Sequence, residues 1–459
     1  MEFVKTGVPN LDLILGGGLV AGSLTMLIGP PGSGKTILSQ QFACHIAREG
    51  GRVLVLTTLP EPHVKLLNNL RTFSFFDEQL IGNQIELINV YRELREDFAN
   101  ASANLLRLVR EHRATTVVVD SFDSIRALGQ NESAIKELLY ELSGGLGLLG
   151  VTAIIISSLD PANIPQHAEL TIADHIIVLR SDSANLRGGR WLEVAKVRGA
   201  APREGWHRYT IDRDGMHIYP RLESVMLPAE VALTAERQSF GLPELDAMMD
   251  GGPPQGSTTL ITGNPGTGKT LFGLHFLLAG ARQGERGLYF SFHESAQQLL
   301  AKCASLAIPV PEDVETQVEF IQLTPIEFIP DEMAAVLRER IDQGGVRRVV
   351  IDGLTELLIG LFDPVRHGAF LTALSAYFRQ AGVTACYIQE QPPPIGVRED
   401  DWSPPLAAYC DNIVLLRRLT SDHQTRRTLT ILTMRNSAHD HATREFQITA
   451  NGLTIASRE

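Results

Sequence analysis

The stretch Gly29-Pro30-Pro31-Gly32-Ser33-Gly34-Lys35-Thr36 returns as Gly263-Asn264-Pro265-Gly266-Thr267-Gly268-Lys269-Thr270, and no other feature narrows so far what this chain can fold into. Glycines at these spacings let the backbone curl until successive N–H groups face an anion, and a helix starting at the end of the loop adds a favourable dipole. In such a phosphate-binding loop, or P-loop, the lysine reaches the β- and γ-phosphates of a nucleoside triphosphate and the threonine holds Mg²⁺. Residues 23–28 and 257–262 read as strands entering the loops, and residues 37–48 and 271–282 as the helices leaving them. A strand, a glycine loop and a helix in that order, found twice, specify two nucleotide sites with ATP and Mg²⁺ as the expected ligands.

The repeat extends beyond the loops. Thr6-Gly7-Val8-Pro9-Asn10-Leu11-Asp12, then Gly17-Gly18 and Gly22-Ser23, matches Phe240-Gly241-Leu242-Pro243-Glu244-Leu245-Asp246, then Gly251-Gly252 and Gly256-Ser257, without a gap. Duplication is the economical explanation. Downstream, Val117-Val118-Val119-Asp120 and Val349-Val350-Ile351-Asp352 are apolar runs that end in an acid. Buried parallel strands read this way, and a carboxylate at the C-terminal end of one can orient Mg²⁺-bound water. Thr36 with Asp120 and Thr270 with Asp352 are therefore the expected metal residues.

Each half alternates strands with helices, which implies an α/β fold: two tandem domains, each a mostly parallel twisted sheet flanked by helices. The expected divisions are residues 1–220, a linker at 221–238 and residues 239–459. Strand-like segments at 191–198 and 206–211 close the first half before the turn signal Asp212-Arg213-Asp214-Gly215. Residues 428–435 and 446–449 close the second, with a turn at Asn451-Gly452. With 44% hydrophobic residues, 459 residues can fill two complete cores. No apolar run is long enough for a membrane-spanning helix, and no secretory signal opens the chain. Cys44, Cys303, Cys386 and Cys410 are scattered without metal-ligand spacing, so they read as core residues in a reducing cytoplasm. A net charge of −12 argues against a chain whose task is to neutralise nucleic-acid phosphates. The basic clusters at Arg187 to Arg190, and at Arg417-Arg418 with Arg426-Arg427, read as solvated hairpin charge.

The opening Gly-Val/Leu-Pro-x-Leu-Asp, the Gly-Gly and Gly-Ser pairs and the P-loop, occurring twice in this order, resemble the KaiC branch of the RecA-like ATPases over essentially the whole chain. The resemblance implies two RecA-like P-loop domains and a homohexamer of two stacked rings with ATP between adjacent subunits. The founding members are circadian clock ATPases with autokinase and autophosphatase activity. The family's catalytic carboxylates, usually a Glu-Glu pair, follow the strand after the P-loop helix, where a carboxylate can polarise the attacking water. Here the second half supplies His293-Glu294 after residues 287–292. The first supplies Pro60-Glu61 after residues 53–58, on an alignment with one inserted residue. One glutamate per site, Glu61 and Glu294, makes hydrolysis the expected but slow reaction, with His293 as a weak base or hydrogen-bonding neighbour. The bland alternative is that each glutamate caps the helix that follows, at 62–70 and 296–305. The family's Lys-x-Arg, which completes the neighbouring subunit's site, is matched by Lys196-Val197-Arg198; its second-half counterpart, Thr433-Met434-Arg435, keeps Arg435 alone.

Two departures separate the chain from the clock kinases. Aligning Asp411 with the Asp that follows the autophosphorylated Ser-Thr pair puts Ala407-Ala408 at that pair, and an alanine has no hydroxyl to accept a phosphoryl group. Ser403 and Thr171 remain as weak acceptors, so autokinase activity is the doubtful part of the resemblance. The sequence stops at Glu459, and no C-terminal activator-binding tail is expected. The resulting reading is a regulatory ATPase that a protein partner reads. Its alternatives are a DNA-dependent ATPase of the RecA/RadA type, marked by stimulation with single-stranded DNA and a steep salt dependence, and a scaffold with structural ATP.

Overall fold

The structure is a computed structural model that describes residues 2–58, 63–129, 131–159, 169–182, 188–226, 235–324, 328–361, 363–390, 405–421, 424–435 and 437–457. It divides into two compact units, Met1–Val225 and Met226–Glu459. Within residues 221–238, Leu222–Val225 form a short helix with Leu222 buried.

Each unit contains a nine-stranded sheet among the described residues. In the first unit the order is Gly215–Tyr219, His207–Asp212, Gly189–Val197, His175–Asp182, Leu24–Ile28, Thr152–Ser157, Thr116–Asp120, Val53–Thr57 and Ile85–Asn89. From His175–Asp182 onward the strands are parallel, and the other three join antiparallel to them. The second sheet repeats this order as Gly452–Ile455, Arg444–Thr449, Gln424–Met434, Asn412–Ser421, Thr258–Gly263, Thr384–Glu390, Val346–Asp352, Arg286–Ser291 and Val318–Gln322. These are the mostly parallel α/β sheets implied by the alternating sequence, in the RecA-like form implied by the resemblance.

The central strands are covered on both faces, which is why they read as unbroken apolar runs rather than as alternating ones. All five residues of Leu24–Ile28 and all five of Val53–Thr57 are buried. Both P-loop helices begin at the loop lysine, as Lys35–Arg48 and Lys269–Ala281, two residues earlier than the apolar spacing suggests. The apolar pattern misses that first turn because it is made of the lysine and the threonine that face the site.

The second helix carries a residue with a measurable consequence. His275 is 7% exposed, neither ring nitrogen has a hydrogen-bond partner, and burial, aided by Arg282, pushes its pKa down to about 4. The unfolded chain therefore binds this proton more readily than the folded one. His275 contributes stability above its unfolded pKa of about 6.5, and that contribution is lost as pH falls toward 4. Between pH 7 and 4 the second unit should lose on the order of 3 kcal/mol from this group. Urea titrations at the two pH values should show it, and His275→Gln, which places at this position the residue type of its counterpart Gln41, should flatten that part of the pH dependence.

Candidate nucleotide sites

Both P-loops emerge from the C-terminal end of a central strand and lead directly into a helix. Gly29 and Gly263 have φ values of 152° and 150°, and a Cβ on them would sit 2.3 Å from the Leu179 carbonyl oxygen and 2.0 Å from that of Leu416. Gly34 and Gly268 immediately precede the lysines at φ 91° and 98°, each with a methyl carbon of Ile211 or Ile448 at 2.5 Å from where a Cβ would lie. Backbone conformation and crowding both require glycine there. In the first unit Tyr209 braces the loop from behind, its hydroxyl donating to the Ser33 carbonyl at 2.5 Å.

The lysines fold back over their own loops. Lys35 Nζ donates to the carbonyls of Gly29 at 2.6 Å and Pro30 at 2.9 Å, and Lys269 Nζ to those of Gly263 at 3.0 Å and Asn264 at 2.8 Å. Burial lowers the pKa of both, partly offset by nearby acids: Asp123 and Asp120 for Lys35, Glu390 and Asp352 for Lys269. The expected metal pairs also meet. Thr36 Oγ1 donates to Asp120 Oδ2 at 2.8 Å, and Thr270 Oγ1 to Asp352 Oδ2 at 2.9 Å. Burial pushes both aspartate pKa values up, opposed by the hydrogen bonds from Thr36 on Asp120 and from Tyr289 and Thr270 on Asp352.

Mg²⁺ and a nucleoside triphosphate fit this donor set. Among the described residues no group of three His, Cys, Asp or Glu side chains could hold a metal unaided. One acid and one hydroxyl are what a hard cation needs when phosphate oxygens and water supply its other ligands. A Cβ placed on Gly32 would meet no described atom within 4 Å beyond its chain neighbours.

In the second unit Lys269, Thr270, His293, Glu294, Asp352, Glu356 and Glu390 line one cavity of about 660 Å³. Both Glu294 oxygens accept from Lys302 Nζ, at 2.7 and 2.6 Å, and His293 Nε2 lies 3.2 Å from Glu356 Oε1. The helix Ala296–Ser305 is capped by Ser295, which forms a reciprocal capping box with Gln298. That leaves Glu294 free of the capping role and facing the cavity instead.

Glu61, with Pro60, lies outside the described residues, as does Ser403. The sheet register nevertheless bears on the alignment that selected Glu61. Thr57 is paired with Asp120 as Ser291 is with Asp352, and the next amides, of Thr58 and Phe292, donate to the Asp120 and Asp352 carbonyls. Measured from the loop lysines, these positions match without an insertion. The extra residue that would bring Glu61 into line with Glu294 therefore cannot arise before Thr58.

Lys196, Arg198 and Arg435 sit at the other end of the sheets. Lys196 is opposite Ile176, which pairs with Met26, so Lys196 and Arg198 lie several strand residues, each about 3.3 Å, from the P-loop of their own unit. Burial lowers the Lys196 pKa, with Arg198 adding to the effect. Lys196 Nζ reaches the Thr171 carbonyl at 3.0 Å, Arg198 the same carbonyl at 3.2 Å, and Arg435 the Ala408 carbonyl at 2.7 Å. The backbone amides of Leu24 and Thr258 donate to Asp174 and Asp411, which are therefore counterparts, and Ala408 occupies the place of Thr171.

Several lining residues carried no distinct sequence signal. The strand between the P-loop strand and the aspartate strand ends in Ser157 in one unit and in Gln389-Glu390 in the other. Ser157 donates to Asp123, whereas Glu390 lies 4.0 Å from Lys269. Comparing the chain ends of the two central strands across the repeat could have found them.

Each of the two RecA-like units joins a P-loop lysine to a hydrogen-bonded Thr–Asp pair, the arrangement of a tandem P-loop protein. The KaiC ATPase family model matches residues 4–223 and again 239–459, and the chain belongs to that family. It is 27% identical to the circadian clock protein KaiC3 of Synechocystis sp., over 99% of this chain and 92% of that protein. It is 26% identical to the circadian clock oscillator protein KaiC of Rippkaea orientalis, over 98% and 88%. The same protein from Synechococcus elongatus is also 26% identical, over 98% and 88%. Among the described residues no helix is long and apolar enough to cross a membrane.

Proposed function

We propose that the chain is a cytoplasmic ATPase that binds Mg-ATP in both units, hydrolyses it slowly at the interfaces of a double-ring homohexamer, and presents its nucleotide state to a protein partner. The observation that carries this reading is the twice-built contact of P-loop threonine with strand-end aspartate, 2.8 Å in one unit and 2.9 Å in the other. Lys35 and Lys269 would hold the β- and γ-phosphates, while Thr36 with Asp120 and Thr270 with Asp352 would hold the metal. The bound Mg²⁺ would neutralise charge developing on the transferred phosphoryl group. Glu294 would orient the attacking water in the second site, with His293 and Lys302 setting its position. In the first site that role is assigned to Glu61. The domain divisions proposed are 1–220 and 239–459, joined by 221–238.

Lys196 and Arg198 face away from their own loop, which suits service to an adjacent copy, as Arg435 would serve in the second ring. Stable Ser or Thr autophosphorylation is the minor part of this proposal, because Ala407 and Ala408 carry no hydroxyl.

Subunit mixing tests the ring arrangement. In a Lys269→Ala background, which silences the second site, chains carrying Lys35→Ala and chains carrying Arg198→Ala should each lack first-site turnover. Random mixed rings should regain about a quarter of the interfaces, because a loop from one parent then meets an arginine from the other. Phosphate release that stays at the parental level after exchange of subunits would contradict action in trans.

A further inference from the structure

The two metal acids are not held alike. Tyr289 stands on the strand beside Asp352, opposite Val350 in the register, and its hydroxyl donates to Asp352 Oδ2 at 2.7 Å. The same oxygen accepts from Thr270 at 2.9 Å. Tyr289 is fully buried, and its ring packs beside Phe320 at a centroid distance of 5.7 Å. In the first unit the position opposite Val118 is Val55, which has no hydroxyl to offer Asp120. Nothing in the apolar character of the strand requires the oxygen, because the first unit fills the equivalent place with a small apolar side chain.

We infer that Tyr289 is a positioning residue for the metal of the second site: its hydroxyl fixes the Asp352 carboxylate in the orientation that receives Mg²⁺-bound water. The inference rests on the reading that the second site binds Mg-ATP. Thr270 would hold the metal through its hydroxyl oxygen, a second demand on a group that already donates to Asp352. Tyr289 can keep its own bond throughout, because it approaches from within the sheet and has no other task. Asp352 Oδ2 thus has a side-chain donor besides its metal-holding threonine, whereas the hydroxyl donating to Asp120 Oδ2 is that of Thr36. Outer partners of a metal-holding acid typically change metal affinity by about 10–100-fold. The second site should accordingly hold its metal more tightly than the first.

The test uses the full chain in a Lys35→Ala background and a non-hydrolysable ATP analogue. Two quantities are read: the free Mg²⁺ concentration giving half-maximal analogue retention, and analogue affinity in EDTA. Tyr289→Phe keeps the ring and should raise the Mg²⁺ midpoint about 10-fold while leaving the metal-free affinity unchanged. A shift below about two-fold, or an equal loss with and without metal, would make Tyr289 a core residue only and overturn the inference. A double-mutant cycle adds a second readout, since Tyr289→Phe should have no further effect on the midpoint once Asp352→Asn is present. Additive effects would also overturn it. If the Lys35→Ala chain fails to retain the analogue at any Mg²⁺ concentration, the Mg-ATP reading itself fails and takes this one with it.

Discussion

Lys269→Ala should lose nucleotide from the second site and leave the first site filled. The ammonium of Lys269 is buried, lies beside Gly263 and Asn264 carbonyls, and is the cation positioned to exchange those partners for phosphate oxygens. Charge-assisted hydrogen bonds contribute about 1.5–3 kcal/mol each, so losing two lowers affinity by at least about 100-fold. The loss is confined to its own unit, because Lys35 has the same arrangement in the other. Nucleotide extracted from saturated protein should fall from two per chain to one in either Lys35→Ala or Lys269→Ala, and to none in the double variant. Loss of both nucleotides from one single variant would mean that the sites depend on each other.

Glu294→Gln should separate binding from chemistry. The substitution keeps the size and the hydrogen-bonding reach of the side chain but removes the charge that lets it polarise water. A positioned acid or base contributes typically 10²–10⁴-fold, so turnover at the second site should drop by about 100-fold or more while nucleotide stays bound. Lys302 shapes this expectation: with both Glu294 oxygens on one ammonium, the carboxylate enters the reaction already paired, which suits slow turnover. Single-turnover measurements in a Lys35→Ala background isolate the step. Undiminished phosphate release would remove Glu294 from the mechanism and leave His293, 3.2 Å from Glu356, as the group to examine.

The phosphate loops were legible in the sequence because their chemistry is local: the glycines, the lysine and the threonine are contiguous, and the strand and helix around them follow from apolar spacing. The contacts of Thr36 with Asp120 and of Thr270 with Asp352 were foreshadowed for a related reason, since each acid ends an apolar run at nearly the same distance behind its loop. What the sequence could not give was partnership across the sheet. Tyr289 looks like an ordinary strand aromatic until the register sets its hydroxyl against Asp352. Lys302 looks like a solvated helix charge until the fold brings it to Glu294. The Ser295 capping box was readable in Ser-x-x-Gln, and its presence separates Glu294 from the helix-capping alternative. Register also exposed the weak point in the one-residue insertion used to align Glu61, because strand pairing counts residues where apolar pattern cannot.

Around equal loops the halves therefore differ. The first keeps Lys196 and Arg198 but has Val55 behind Asp120; the second keeps Arg435 alone but has Tyr289 behind Asp352 and a glutamate facing its cavity. Steady-state phosphate release from the unmodified chain, Lys35→Ala, Lys269→Ala and the double variant tests this most directly. Activity should persist in both single variants, with more of it lost in Lys269→Ala than in Lys35→Ala, and should be absent from the double. Full turnover in the double variant would contradict it.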